Sequence, residues 1–367
     1  MVSTGSCLPG QPISNEDLQR VAGELPEDIL EGLQTKQRYW IADIDTGEQA
    51  QSNSDMAYEA IVEALELGGL ATSDIELLVV STASPEYHLP PTATLIQEKL
   101  GIKRLATTDI RSGCAGAIEG LELARHYLER GDFETAVVVG VEAISPLTVP
   151  VFLGKEPKRV RMRDRLGVYA FGDGAGAMIL RAGDDGADGV CGSAAIAAVG
   201  GDRPIGMQVI GGGTHAPIHE QLKAKKLVEM RVDVVESGRY TPYVLTEGMQ
   251  QTVERSGVPA TEIDLCVIPE GNAAYMTDEL RAAGLITPEW TALEPKIFEN
   301  LTLVGATGSA AVPLALDYAW KTGAVSKGDM VMLLAIETSK WKYAGWVLRW
   351  TADPVAAENA IVPTATA

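Results

Sequence analysis

One cysteine in the stretch DIRSGCAGAIEGLELA, residues 109–124, is placed for nucleophilic chemistry. Cys114 lies between Gly113 and Gly116, where an apolar strand-like run gives way to a helical pattern. The glycines permit a tight strand-to-helix turn and close backbone approach, so the sulfur is expected at a helix N-terminus. Backbone N–H groups and the helix dipole there favour thiolate, the form that attacks an acyl carbon. A small buried thiol packed behind a helix has the same local sequence, and spacing alone leaves both readings open.

The other candidates are weaker. Cys7, Cys191 and Cys266 lie far from one another and from Cys114, with no CxxC spacing, so all four read as reduced thiols rather than a disulfide framework or a zinc site. His215 and His219 in GGGTHAPIHE have ligand spacing only on a regular helix, and Pro217 argues for a loop instead; no metal site is expected. His126 falls inside the helical pattern after Cys114. FGDGAGA, residues 171–177, lacks the final interval of a nucleotide-binding fingerprint and runs into a strand-like segment, so it is assigned a packing role.

These residues need a scaffold. The chain has 367 residues, 46% of them hydrophobic, enough for a substantial core. Its 30 basic and 50 acidic residues leave a net charge of −20, which excludes nucleic acid or an anionic membrane as a partner met through overall charge. The N-terminus has no basic or apolar leader region, and no stretch approaches eighteen uninterrupted apolar residues, so a soluble cytoplasmic protein is expected. Strand-like runs at 75–84, 135–143, 176–180, 264–270, 329–337 and 344–350 alternate with helical patterns at 115–130, 243–256 and 308–322. That alternation reads as α/β.

The two halves resemble each other. SDIELLVVST (73–82) matches TEIDLCVIPE (261–270), and GCAGAIEGLELARHYLERGD (113–132) matches GATGSAAVPLALDYAWKTGA (305–324), at offsets of 188 and 192 residues. In that register Cys114 corresponds to Ala306. Two copies of one α/β unit are expected, over 1–185 and 186–351. The aperiodic remainder, 352–367, is expected to be a flexible tail.

In order, TDIRSGCAGAIEGLELA, AVVVGVEAIS, FGDGAGAMIL, VIPEGNAAYM and GATGSAAVPLALDYA resemble the β-ketoacyl-acyl carrier protein synthase III family of the thiolase superfamily. The resemblance runs from about STGSCLPG to Trp350. It implies the thiolase fold, an α/β architecture of five αβαβα layers built from two pseudo-twofold halves. It also implies a homodimer in which the loop at 84–91, SPEYHLPP, reaches toward the partner's pocket.

The departures from the family pattern fall on the acceptor chemistry. Glu270 stands where the family has histidine, and Ala306 where it has asparagine. The family's glycine-rich turn is replaced by IETSKWKYAG, in which a backbone N–H near Thr338 or Ser339 would serve as the oxyanion donor. Decarboxylative condensation needs two donors for an enolate oxygen; an ionised Glu270 only accepts and Ala306 offers nothing. A carboxylate there suits a general base for an incoming hydroxyl, amine or acidic carbon; a carboxylate without a role is the competing reading. The hydroxymethylglutaryl-CoA synthase branch is disfavoured because its acidic base position is Ala83 here. Glu86 and His88 are an alternative base from a neighbouring subunit, against the simpler reading of a polar loop.

Donor recognition differs as well. Ile29 and Leu33 stand where the family clamps the adenine of coenzyme A, while Arg165 matches its other basic residue at the mouth. Just before it, Lys155, Lys158, Arg159, Arg161 and Arg163 form a basic cluster in an acidic chain, either a solvated loop or a docking patch for an acyl carrier protein and its phosphopantetheine arm. The expected activity is acyl transfer in antibiotic or polyketide metabolism. Cys114 takes an acyl group from a carrier thioester, with no bound cofactor, and passes it to a small-molecule or carrier-bound acceptor without decarboxylation. The alternatives are a decarboxylative 3-oxoacyl synthase and a catalytically silent partner subunit.

Overall fold

The computed structural model describes residues 1–183, 189–211, 213–224, 229–356, 359–360 and 362–363. The expected junction at 185–186 lies outside them, as does part of the expected tail.

The first sheet contains β1 (Ser3–Cys7), β2 (Leu77–Ser81), β3 (Ala106–Ile110), β4 (Thr135–Glu142) and β5 (Gly174–Arg181). The second contains β6 (Val190–Ala198), β7 (Leu265–Val267), β8 (Ile297–Phe298), β9 (Met330–Glu337) and β10 (Lys342–Arg349). Their spatial orders are β1-β5-β4-β2-β3 and β6-β10-β9-β7-β8. Adding five to each strand of the first order gives the second. Orientations repeat too: β2–β3 and β2–β4 are parallel, as are β7–β8 and β7–β9, while β4–β5 and β9–β10 are antiparallel.

The apolar runs that are buried on both faces, LLVVS in β2 and TAVVVGVE in β4, are central strands for that reason. Between the sheets, helices Gly116–Glu129 and Ala311–Lys321 share one core, in which Val79, Ile118 and Val138 meet Leu316, Leu333 and Trp346. Helix Asn53–Gly68 covers the outer face of the first sheet with Met56, Ala60 and Ile61. Helix Val234–Ser256 covers the second with Val244, Leu245 and Met249. The result is the five-layered αβαβα arrangement of the thiolase fold.

β1 and β6 carry little apolar signal. In β1, polar side chains are buried and satisfied by helices: Ser3 Oγ donates to Ala64 O at 2.6 Å and Thr4 Oγ1 to Asp317 Oδ1 at 2.9 Å. FGDGAGA does pack. A Cβ on Gly172 would lie 2.1 Å from Val304 O, and one on Gly176 2.8 Å from Leu314 N, so the halves meet here through glycine. Asp173 within it accepts from the N–H groups of Ile41, Ile144 and Ser145. Past β10, Ala352 is buried and Trp320 Nε1 donates to Asp353 O at 3.0 Å. Among the described residues, no helix is long and apolar enough to cross a membrane.

Candidate active site

Cys114 sits in a single 3₁₀ turn, Gly113–Ala115, that joins β3 to helix Gly116–Glu129. Gly113 adopts φ +51°, and a Cβ on Gly116 would lie 1.9 Å from Ser81 Oγ, so both glycines are required by the turn. The second half repeats it: Gly308, φ +53°, opens the turn Gly308–Ala310 ahead of helix Ala311–Lys321. Cys114 therefore corresponds to Ser309, not Ala306. The register slips because the loops between strand and turn differ in length.

The two turns touch at the pseudo-twofold axis, where Ser309 Oγ donates to Gly113 O at 2.9 Å and Ser81 Oγ to Ser309 Oγ at 3.1 Å. Each also receives a carboxylate from the strand end of the opposite half. Glu142, closing β4, accepts the Ser309 N–H at 3.2 Å; Glu337, closing β9, accepts the Cys114 N–H at 2.7 Å. Sequence reasoning missed Glu337. The signal was present, since GVEA and AIET each end an apolar strand in glutamate.

Glu337 changes the chemistry expected of its neighbours. Its other oxygen accepts the Ser339 N–H at 2.7 Å, so the expected donor at Ser339 is already engaged. The Ala306 N–H is engaged as well, with Ala170 O at 2.8 Å, and Thr338 adjoins the same turn without lining the cavity described below. Burial, then the charges of Glu337, Glu270 and Glu142, push the Cys114 thiol well above its ordinary range. Burial and these acids thus oppose the expected thiolate, and the helix-end N–H of Cys114 is engaged by a carboxylate.

Glu270 also departs from expectation. Its Oε1 accepts the Ile336 N–H at 3.2 Å, but burial and the nearby Glu337 charge push its carboxyl up to about 8. It holds its proton at neutral pH and can donate as well as accept.

Cys114, Glu270 and Ala306 line one cavity of about 470 Å³, together with Thr307, Gly308 and apolar residues including Leu166, Leu245 and Leu301. Ile29 and Leu33 line it too, as does Tyr275. Among the described residues, its acidic side chains are Glu270 and Glu279, and its lining has no lysine, arginine or histidine.

Arg165 does not reach the cavity. Its guanidinium donates to Glu24 O at 2.5 Å, Pro157 O at 3.1 Å and Val160 O at 3.1 Å, tying its own segment to the backbone at Glu24. Arg159 pairs with Glu156 at 3.3 Å, and Arg161 and Arg163 with Asp164 at 2.5 and 3.6 Å. Arg163 lies in the first turn of the helix Met162–Ala170, whose Leu166 and Ala170 line the cavity, so the cluster adjoins it. Glu86 and His88 line a separate cleft of about 1300 Å³ that shares no lining residue with the Cys114 cavity. Glu86 is committed within its own chain, accepting the Ser54 N–H and hydroxyl at 3.1 and 2.8 Å. His215 precedes and His219 lies within a short helix, Ile218–Ala224, rather than sharing one loop.

Two models of one family match the chain: the 3-oxoacyl-[acyl-carrier-protein] synthase III model over residues 108–198, and its C-terminal companion over 253–350. A β-ketoacyl-[acyl-carrier-protein] synthase III from Caldanaerobacter subterraneus subsp. tengcongensis is 29% identical over 351 residues, covering 96% of this chain and 97% of that protein. The structure of AbyA1, a tetronic acid condensing enzyme, superposes with a TM-score of 0.79 at 24% identity, covering 95% of this chain and 99% of that one. The priming β-ketosynthase of the R1128 polyketide pathway superposes at 0.78 with 22% identity, covering 96% of both chains. With a duplicated thiolase fold, a cysteine on the first turn at the pseudo-twofold axis and both family models matched in order, the chain belongs to the 3-oxoacyl-[acyl-carrier-protein] synthase III family of condensing enzymes.

Proposed function

We propose that the chain takes an acyl group from a carrier-protein thioester onto Cys114 and transfers it to a second nucleophile without decarboxylation, in specialised antibiotic or polyketide metabolism. The observation that carries this reading is the acidic make-up of the site. Among the described residues, Glu270 and Glu279 line a cavity without a cationic side chain, and Glu337 presses on the nucleophile. A malonyl carboxylate would enter beside Glu279 and Glu337 with no counter-cation among the described residues, whereas a hydroxyl or amine acceptor meets Glu270, whose ionised form, reached at about 8, is basic enough to remove a proton. The apolar remainder accommodates an acyl chain and a phosphopantetheine arm.

The basic cluster beside the cavity supports a carrier protein as donor. Lys155, Lys158, Arg159, Arg161 and Arg163 outnumber Glu156 and Asp164 there, giving a local positive surface for an acidic partner. Tyr87 and Leu89, 58% and 80% exposed in the loop at 84–91, support a homodimer formed over that loop.

Intact-protein mass after incubation with a panel of acyl carrier proteins tests the first half of the reaction. Labelled carbon dioxide from malonyl carrier protein tests the second. Release matched by product would favour a decarboxylative synthase, the reading supported by the proton that Glu270 holds and could donate to an enolate oxygen.

A further inference from the structure

The Cys114 and Ser339 N–H groups come from different halves of the chain and converge on one carboxylate, each oxygen of Glu337 accepting one at 2.7 Å. Two converging backbone donors beside a nucleophile are the arrangement that stabilises a tetrahedral oxyanion. Here the chain's own side chain fills it. A Cβ on Gly113 would lie 1.6 Å from Glu337 Oε2, so the turn closes directly onto the carboxylate. Around Glu337 stand Cys114, Glu270 and, across the strand pair, Lys342; the Lys342 ammonium is drawn away to Glu119 and Ser112 Oγ. Among the described residues this carboxylate has no salt-bridge partner and is held by donors that a substrate also needs, which makes it a base in waiting.

We propose that Glu337 is the proton acceptor for Cys114, set free when a thioester carbonyl oxygen displaces its carboxylate from the Cys114 and Ser339 N–H groups. The proposal rests on the acyl-transfer reading above. Once displaced, the carboxylate has lost both donors and removes the Cys114 S–H proton. The sulfur then attacks the thioester carbon, and the carbonyl electron pair moves to the oxygen held by the two N–H groups. As the carbonyl re-forms, the carrier's thiolate leaves and takes the proton back from the Glu337 carboxyl. Atoms and charge balance, and Cys114 is acylated with the carboxylate regenerated. Substrate and carboxylate cannot share the N–H pair, so entry of the thioester itself exposes the base. This gives a proton acceptor to a thiol that burial and neighbouring acids push well above its ordinary range.

The test compares the parent, Glu337→Gln and Glu337→Asp in two reactions of Cys114: acylation by an acyl carrier protein, followed by rapid-quench intact mass, and alkylation by iodoacetamide between pH 6.5 and 9.5. Glu337→Gln is expected to acylate about 100-fold more slowly, and Glu337→Asp to recover part of that loss. Alkylation needs no carbonyl site; in Glu337→Gln it should speed up at pH 7.5, its profile moving to lower pH, because a charge opposing thiolate is gone. A merely structural change would move both reactions in the same direction. Acylation of Glu337→Gln at the parent's rate or faster, over an unchanged pH profile, overturns the assignment while leaving acyl transfer standing. Absence of any adduct in the parent would instead remove the acyl-transfer reading, and this proposal with it.

Discussion

Glu142 Oε1 accepts the backbone N–H of Ser309 at 3.2 Å, across the boundary between the two repeated halves. The bond between Glu337 and Cys114 is its counterpart under the pseudo-twofold. One member of each pair differs: a thiol in one turn, a hydroxyl in the other. Ser309 spends its hydroxyl on Gly113 O, whereas Cys114 faces a cavity. The duplicated turn thus splits into a structural copy and a reactive one.

Close approach at this junction makes its glycines sensitive. A Cβ on Gly140 would lie 1.9 Å from Ser309 O, a backbone atom that cannot swing aside. Gly140→Ala is expected to lower the melting temperature by more than 5 °C or to prevent soluble expression. Gly69→Ala, at φ +63° but with no atom within 4 Å, is expected to cost only a degree or two.

Cys114→Ala should abolish the acyl adduct seen by intact mass. Cys7 and Cys266 are buried and Cys191 is half-buried, and none of the three lines the cavity. An adduct at full yield in that variant would remove Cys114 from the mechanism.

Glu270 supplies a pH test. Its proton leaves near pH 8, so base-assisted transfer should rise with pH through about 8, whereas decarboxylation assisted by a donor should fall over the same range. Glu270→Gln should retain self-acylation and lose turnover by about 100-fold. Its effect on stability has the opposite sign. A folded value of about 8, above the unfolded carboxyl's ~4.3, gives stability that is complete at low pH and lost as pH rises to about 8. Glu270→Gln should therefore melt above the parent at pH 9 and close to it at pH 5, as differential scanning fluorimetry would show.

The arginines separate by role. Arg159→Glu with Arg163→Glu should raise KM for a carrier-protein thioester several-fold and flatten its salt dependence, with little change for a short pantetheine thioester. Arg165→Ala should instead lower the melting temperature, because three backbone carbonyls lose their donor, while KM in the folded fraction is preserved.

The central strands were legible because β2, β4 and β9 are unbroken apolar runs, and the duplication because its segments repeat glycine and small residues. β1 was not, since STGSC packs through small residues and side-chain hydrogen bonds, nor was β6, whose VCGSAAIAA is mostly small residues. At the site, Cys114 was found from local sequence and Glu270 and Ala306 from the family resemblance, and the three share one cavity. Glu337 was missed because its meaning lies in a contact 223 residues away along the chain. Arg165 reads as a docking cation until its three carbonyl partners, two of them in its own segment and one at Glu24, are seen.

The exchange of carboxylates between halves has a consequence for biosynthesis. Glu337 emerges from the ribosome 223 residues after Cys114, a delay of about 10–45 s at 5–20 residues per second. Until then the nascent first half carries a cysteine turn without its acid, its second backbone donor at Ser339 or the cavity wall at Glu270. The thiol enters the cell before the apparatus that governs it, so a ribosome stalled between the halves would display an ordinary, unguarded cysteine.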